Sequence, residues 1–146
     1  MKKITLGADH AGFKLKEELK NHLIKKGYSI IDVSPQFIPG DDYPAIAKKV
    51  VYTILHTPYS IPGILVCGSG YGMDIVANRF KGVRAGVARS IQDAVSARID
   101  DHTNVLVLGE RMTKPTLAKK ILDTWLKTKP SKIARHMRRV KQMDLV

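Results

Sequence analysis

The stretch of sequence that decides the fold is GILVCGSGYG, residues Gly63 to Gly72. Its first half is almost wholly apolar, which is typical of a parallel β-strand covered on both faces. Its second half alternates glycine with other residues, so we expect the strand to end at Cys67 and a tight loop to follow. A buried strand that leads into such a loop predicts an α/β fold with a ligand site at the strand's carboxyl end.

Strands and helices alternate along the rest of the chain. The predicted strands are Ile4–Ala8, Tyr28–Val33, Gly63–Cys67, Val83–Ala88 and Val105–Leu108. The predicted helices are Phe13–Lys26, one opening at Pro44, Met73–Arg79, Ser90–Ile99, Pro115–Leu126 and one after Pro130. This alternation predicts repeated β-α-β units and a parallel sheet with helices on both faces. We therefore expect a three-layer, Rossmann-like α/β/α sandwich with a five-stranded parallel sheet and a basic C-terminal helix.

Apolar residues at helical spacing indicate which helix faces are buried. The helix from Pro44 is expected to pack through Ile46, Ala47, Val50, Val51, Ile54 and Leu55. The helix from Pro115 is expected to bury Leu117, Ile121, Leu122 and Trp125, and the last helix places Ile133, Met137 and Val140 on one side.

Length and composition indicate one ordinary globular domain over residues 1–146. The 146 residues are 44% hydrophobic and 26% charged, which is too hydrophobic for a disordered chain. The apolar start is interrupted at Asp9 before it reaches the length of a signal peptide, and no apolar run is long enough to span a membrane. The lone Cys67 cannot form an internal disulfide, which agrees with a reducing compartment, so we expect a cytoplasmic protein without a membrane partner.

The net charge of +12 predicts an anionic ligand or partner. Seven cations lie between Lys127 and Lys141, in a stretch without an acidic residue. Phosphorylated metabolites and nucleic acids both carry the required charge. A nucleic-acid-binding module is the remote alternative, because the sequence lacks an aromatic-rich binding motif.

The first loop of the predicted sheet brings a carboxylate and an imidazole together. Asp9 and His10 follow the first strand within Gly7–Gly12. Such a pair can move protons or hold a polyol. The alternative interpretation is that Asp9 caps the next helix and His10 is a surface residue.

The loop after Cys67 lets backbone N–H groups converge ahead of a helix. A thiol in that setting is a candidate base or nucleophile, whereas a lone cysteine elsewhere is more often a small buried apolar residue. A phosphatase of the Cys-x5-Arg type would need arginine at Met73, and the dinucleotide pattern Gly-x-Gly-x-x-Gly would need glycine there. Both of those functions are therefore disfavoured.

Two further polar groups are predicted to lie at the same edge of the sheet, and a third lies near the C-terminus. Arg89 follows the fourth strand, and the segment Asp100–Asn104 precedes the fifth. Arg135 and Arg139 share one face of the last helix, as suits a phosphate. A solvated turn and a solvated basic face are the alternatives for the last two groups.

Taken together, these loops resemble the ribose-5-phosphate isomerase B family, which includes the galactose-6-phosphate isomerase subunits. The matching segments are Gly7–Lys16, Asp42–Pro44, Cys67–Gly72, Ala77–Arg79, Gly82–Ala85, Thr103–Leu106 and Arg135–His136 with Arg139. They run in the family's order through nearly the whole chain. Some relatives replace the cysteine by a glutamate just after the loop's last glycine, where this chain has Met73, so it resembles the cysteine users.

The resemblance implies an aldose-ketose isomerase that moves a proton between C1 and C2 of a sugar phosphate through an enediolate, without metal or cofactor. It implies Cys67 as the base and Ser69 as the group that shuttles a proton between the sugar oxygens. The amides of Gly68 to Gly72, including Gly70 and Tyr71, would stabilise the enediolate. It also implies that Asp9 holds the sugar and that His10, Arg135 and Arg139 bind the phosphate, with Arg111 assisting them. Asp101 is also among the implied substrate-binding residues.

One segment departs from the family pattern. The family has His-Asn-Asp where this chain has Asp100-Asp101-His102, and the family's histidine opens the furanose ring. Aspartate is a poor proton donor at pH 7, so His102 is a second candidate for ring opening. The alternatives are a preference for the open-chain sugar or for a six-carbon phosphate of galactose or allose. The resemblance also implies a homodimer or homotetramer with the active site at the subunit boundary.

Overall fold

The computed structural model describes residues 2–146 as a parallel sheet flanked by helices. The strands are β1 (Lys3–Ala8), β2 (Ser29–Asp32), β3 (Gly63–Cys67), β4 (Ala85–Val87) and β5 (Val105–Gly109). The helices are α1 (Phe13–Lys25), α2 (Tyr43–His56), α3 (Tyr71–Ala77), α4 (Ile91–Ile99), α5 (Pro115–Lys127) and α6 (Ala134–Met143). The strand order is β2-β1-β3-β5-β4, and every pairing is parallel. The predicted α/β fold with five parallel strands is confirmed.

The centre of the sheet is its most apolar part, because both of its faces are covered. All residues of β3 and β5 are buried, and the two strands pair from Gly63 with Val105 to Cys67 with Gly109. One core lies between the sheet and helices α1 and α5, and the other lies under α2 and α3. The register therefore brings the ends of β3 and β5 level with each other.

The edge strand β4 is shorter than the sequence predicts. The side chain of Asn78 accepts a hydrogen bond from the Ala85 N–H at 2.8 Å and donates one to the Ala85 carbonyl at 3.0 Å. Val83 is held in a turn, where its N–H donates to the Phe80 carbonyl at 3.1 Å. The turn keeps Val83 out of the strand, and Asn78 closes the outer edge of the sheet at Ala85.

Some apolar side chains predicted to be buried lie at the surface. Leu117 is 37% exposed, because α5 buries the face formed by Ala118, Ile121, Leu122 and Trp125. Leu117 precedes that face by about 100° of helix rotation. Leu55 of α2 is exposed for the same kind of reason. The prediction of burial was wrong for both leucines.

Helix α6 covers little of the rest of the chain. Only His136 and Val140 of this helix are buried. Ile133, which precedes the helix, and Met137 are 50% and 51% exposed, so the predicted apolar side is only partly covered within one chain. Among residues 2–146, no helix is both long enough and apolar enough to cross a membrane.

Candidate active site

Cys67 occupies the carboxyl end of the central strand β3. The cysteine is 5% exposed, and its Sγ accepts a hydrogen bond from the N–H of Gly70 at 3.1 Å. Gly70 has a φ of 89°, a conformation that glycine adopts without strain and that turns its N–H back toward the sulfur. The loop therefore holds the thiol in one orientation and supplies a backbone donor to its sulfur.

Glycine is required beside Cys67 because other groups approach the backbone closely. A Cβ atom at Gly68 would lie 2.6 Å from Cζ of Arg111, and one at Gly72 would lie 2.6 Å from the ring of Tyr43. A Cβ at Gly12 would lie 2.7 Å from the backbone nitrogen of Cys67. The missing side chains let Arg111, Tyr43 and the first loop converge on the loop that follows Cys67.

Asp9 and His10 lie at the end of β1, the neighbour of β3. Asp9 is 5% exposed, and its Oδ1 accepts a hydrogen bond from the Gly12 N–H at 3.0 Å. Burial raises the pKa of the Asp9 carboxyl, although the Gly12 N–H opposes that effect. Asp9 thus both caps the turn before α1 and offers a second carboxylate oxygen near the loop after Cys67.

His10 is exposed and is oriented by Asp41. Its Nδ1 lies 3.0 Å from Oδ1 of Asp41, which also accepts a hydrogen bond from the His10 backbone N–H at 2.7 Å. The hydrogen bond to Asp41 is the main reason that the pKa of His10 is raised. His10 is therefore cationic over a wider pH range than a free histidine, as an anion-binding residue should be.

The backbone under Asp9 is held by a buried lysine. Nζ of Lys16 donates to Asp32 Oδ2 at 2.9 Å and to the Ser34 carbonyl at 2.8 Å. Oγ of Ser34 in turn accepts a hydrogen bond from the Ala8 N–H at 2.9 Å. Lys16 thereby connects α1 to the segment after β2 and steadies the end of β1.

Arg89 and Tyr71 form a second cationic group at this edge. Arg89 follows β4, as predicted, and its guanidinium donates to the Tyr71 hydroxyl while lying 4.8 Å from the ring centroid. The stacking orients the Arg89 charge beside the loop after Cys67. Ser69, in the same loop, is partly exposed.

Three residues of this site had no role assigned from the sequence: Asp41, Tyr43 and Glu110. Glu110 Oε2 accepts a hydrogen bond from the Leu15 N–H at 3.2 Å, and the Glu110 N–H donates to the Cys67 carbonyl at 2.8 Å. Asp41 lies in the loop before α2, and Tyr43 is the first residue of that helix. The signals for Asp41 and Tyr43 were the cluster of acidic and turn residues around Asp42 and the family segment Asp42–Pro44.

The segment Asp100–Asn104 does not lie at this edge, and that prediction was wrong. It connects the end of α4 to the start of β5, and the Asn104 carbonyl accepts a hydrogen bond from the N–H of Gly63, the first residue of β3. The length of β5 separates it from Gly109 by about 16 Å. Asp100, Asp101 and His102 therefore lie at the amino edge of the sheet, opposite Cys67.

The arginines of α6 belong to the amino edge as well. Nδ1 of His136 lies 3.8 Å from Oδ1 of Asp100, and Asp144, just after α6, binds Arg84 at 2.7 Å. Both contacts are at the amino edge, and Arg135 and Arg139 of the same helix are exposed. Within one chain the structure joins Cys67, Asp9, His10, Ser69 and Arg111 but leaves Asp100, His102, Arg135 and Arg139 apart.

The carboxyl edge has the chemistry of an anion site with a base. It combines a held thiol, glycine amides, a buried carboxylate and the cationic side chains of His10, Arg89 and Arg111. Residues 2–146 contain no group of three side chains suited to hold a metal ion. The fold and this edge define an α/β protein with a candidate anion site beside a buried thiol.

Comparison with known proteins identifies the family. A family model described as Ribose/Galactose Isomerase matches residues 4–143. The chain therefore belongs to the Ribose/Galactose Isomerase family.

Individual relatives match over almost their full length. Ribose-5-phosphate isomerase B of Escherichia coli is 38% identical over 146 residues, which cover 100% of this chain and 97% of the relative. A crystal structure of a ribose 5-phosphate isomerase from Thermotoga maritima is 43% identical, with a TM-score of 0.93 over 99% of this chain and 98% of that one. The enzyme of Mycoplasma genitalium with bound ribulose-5-phosphate is 35% identical, with a TM-score of 0.92 over 98% and 94%.

Proposed function

We propose that this protein interconverts ribose 5-phosphate and ribulose 5-phosphate, a step of the non-oxidative pentose phosphate pathway. The observation that carries the proposal is the held thiol of Cys67, which accepts a hydrogen bond from the Gly70 N–H at the carboxyl edge of the sheet. The family membership and the relative with bound ribulose-5-phosphate supply the substrate class.

In the proposed reaction, the Cys67 thiolate removes the proton from C2 of the open-chain aldose and returns it to C1. Ser69 moves the hydroxyl proton between the oxygens on C1 and C2, so the enediolate is converted to the ketose without loss of atoms. The N–H groups of Gly68, Gly70, Tyr71 and Gly72 stabilise the negative charge of the enediolate. Each well-placed donor of this kind lowers a barrier by about 3 kcal/mol. The reaction proceeds without a metal or cofactor.

Substrate binding is divided between the two edges of the sheet. At the carboxyl edge, Asp9 holds sugar hydroxyls, and His10 and Arg111 attract the phosphate. Arg135 and Arg139 bind the phosphate from the amino edge, with Asp101 among the substrate-binding residues there. Ring opening also belongs to the amino edge, with Asp100 and His102 as its candidates.

Because one chain keeps these groups about a strand length apart, the proposed site contains two copies of the chain. The amino edge of one copy meets the carboxyl edge of the other, as in a homodimer or a homotetramer. The exposed Ile133 and Met137, together with exposed apolar residues at the end of the chain, supply the contact surface. The same proposal places the protein in the cytoplasm and gives it no nucleic-acid partner.

A six-carbon sugar phosphate, of galactose or allose, is the alternative substrate. The observation that favours it is Asp100, which stands where the family has its ring-opening histidine. Comparison of kcat/KM for ribose 5-phosphate, allose 6-phosphate and galactose 6-phosphate separates the two proposals. Turnover of the five-carbon sugar with none of the six-carbon sugars excludes the alternative.

The decisive experiment is conversion of ribose 5-phosphate to ribulose 5-phosphate by the purified protein with metals chelated. The Cys67→Ala variant is assayed beside it, with its melting temperature as a check on folding. We expect the variant to keep the fold and to lose at least about 1,000-fold in kcat, because it lacks the base. Full activity in Cys67→Ala would exclude Cys67 as the base, and an inactive parent would contradict the proposed substrate.

A further inference from the structure

Arg84 joins two parts of the amino edge that are distant in the sequence. Its Nη1 donates to both carboxylate oxygens of Asp144 at 2.7 and 3.0 Å, and its Nε donates to the carbonyl of His102 at 3.2 Å. Its backbone N–H donates to Oδ1 of Asn104 at 2.8 Å. One guanidinium thus contacts the end of α6 and the loop that carries Asp100 and His102.

Helix α6 has few other attachments. Two of its side chains, His136 and Val140, are buried. Among residues 2–146, the pair of Arg84 and Asp144 supplies the only side-chain hydrogen bonds between the segment 134–144 and the rest of the chain. The imidazole of His136 lies 3.8 Å from Asp100, which is beyond hydrogen-bond distance. The far end of α6 therefore depends on Arg84.

The loop contacted by Arg84 has a constrained backbone. His102 has a φ of 50°, which is uncommon for a residue other than glycine. Its neighbour Thr103 is held independently, because Nε1 of Trp125 donates to the Thr103 hydroxyl at 2.9 Å and Arg98 donates to the Thr103 carbonyl. The bond from Arg84 to the His102 carbonyl thus orients the part of the loop that Trp125 and Arg98 do not hold.

We propose that Arg84 is a positioning residue that couples helix α6 to the loop Asp100–Asn104, so that both meet the substrate in one geometry. This inference rests on the proposed function, which gives Arg135 and Arg139 the phosphate and the loop the sugar ring. Arg84 itself does not touch the substrate. Its planar guanidinium suits the role because separate nitrogens reach the two partners.

The test uses a substitution for which electrostatics and the positioning role predict opposite changes in phosphate affinity. Asp144→Asn removes a negative charge from the end of a phosphate-binding helix, so simple electrostatics would tighten phosphate binding. If Asp144 holds α6 in place through Arg84, the same substitution weakens it. We expect the Kd for inorganic phosphate and the KM for ribose 5-phosphate to rise together by about tenfold, with kcat unchanged within about twofold.

Arg84→Met breaks both contacts, so it is expected to raise the phosphate Kd in the same way and also to lower kcat by about tenfold. Arg84→Lys keeps a charge opposite Asp144 and is expected to retain the parent's phosphate affinity. The matched control is Asp123→Asn, because Asp123 forms a similar carboxylate pair with Lys26 at 2.7 Å between α5 and α1. The control is expected to change neither phosphate Kd nor kcat.

Phosphate binding by calorimetry does not depend on turnover, so it separates this inference from the proposed function. If the parent fails to convert ribose 5-phosphate, the proposed function is contradicted. The positioning role of Arg84 is still tested in that case, by comparing the phosphate Kd of the parent with that of Asp144→Asn. Unchanged or tighter phosphate binding by Asp144→Asn would overturn the positioning role. An equal weakening in Asp123→Asn, or no saturable phosphate binding by the parent, would overturn it as well.

Discussion

The two edges of the sheet are built in contrasting ways. At the carboxyl edge, Cys67 and Asp9 are buried and bonded to backbone N–H groups within their own loops. At the amino edge, Arg135, Arg139 and Asp100 are exposed, and α6 is held by two buried side chains and one ion pair. The carboxyl edge is organised for chemistry within one chain, whereas the amino edge presents charge outward. The difference motivates the proposal that each edge is half of a site that two copies complete.

The largest expected effect comes from mixing two inactive variants. Cys67→Ala damages the carboxyl edge, and Arg139→Ala damages the amino edge. In a twofold dimer with shared sites, each mixed dimer has one site with both defects and one intact site. Because half of the dimers are mixed, refolding an equal mixture is expected to restore about a quarter of the parent activity.

Turnover of ribose 5-phosphate after joint denaturation and refolding measures this restoration. Each variant refolded alone is the control and is expected to stay inactive. If the mixture is no more active than the two variants alone, the two edges do not combine into one site across a subunit boundary.

Crowding of the carboxyl edge gives the next largest effect. Gly68→Ala puts a Cβ against the Arg111 guanidinium, which can move because it is the end of a flexible side chain. We expect the melting temperature to stay near that of the parent and kcat/KM for ribose 5-phosphate to fall by about 100-fold, because a group beside the base is displaced. Gly86→Ala in β4 is the matched control, since its Cβ would meet nothing closer than 3.4 Å. Equal kcat/KM values for the two variants would show that the Gly68–Arg111 contact is unimportant.

At the amino edge, Asp100→His tests ring opening. The substitution supplies the proton donor that the family has at this position, so kcat for ribose 5-phosphate is expected to rise by about tenfold. A neutral amide in Asp100→Asn is the control, because it removes the carboxylate without adding a donor. A fall in kcat with histidine, together with a comparable fall with asparagine, would assign ring opening to Asp100 itself.

The smallest effect concerns the pH dependence of binding through His10. Its pKa is raised by Asp41, so the cationic form, to which we assign phosphate binding, persists to higher pH and is lost as pH rises through that pKa. KM for ribose 5-phosphate is therefore expected to increase about threefold on the alkaline side of this titration.

Asp41→Asn removes the partner, so the rise in KM should begin at lower pH. Steady-state kinetics across pH 5 to 9 measures the shift, with His10→Asn as the variant that should show no such titration. An identical KM profile in Asp41→Asn would mean that the charge of His10 is not used in binding.

Much of the carboxyl edge is predictable because its determinants are local. Asp9 and Cys67 each stand at the end of a recognisable strand, and the sequence places both where parallel strands end. The contacts that surround these residues come instead from parts of the chain that are distant in the sequence. Asp41 meets His10 across 31 residues, and Arg111 reaches Gly68 from the loop after another strand. No periodic pattern in the sequence predicts such contacts.

The error at Asp100–Asn104 also has a physical reason. The segment is polar, like a ligand loop, but it precedes β5, and parallel strands put preceding residues at the amino edge. Polarity alone does not distinguish the two edges; chain direction does. Residues 100–102 depart from the family's pattern, and the segment lies at the edge of the sheet opposite to the expected one.

The sequence by itself determined the alternation of strands and helices, the buried strand before Cys67, the glycine loop after it and the family, because these depend on residue type and local spacing. Only the tertiary structure decided that the thiol and the α6 arginines lie at opposite edges, that Asp41 orients His10, and that Arg84 joins α6 to the loop before β5. The physical reason is that these contacts arise from strand order and helix packing, which bring together residues far apart in the chain.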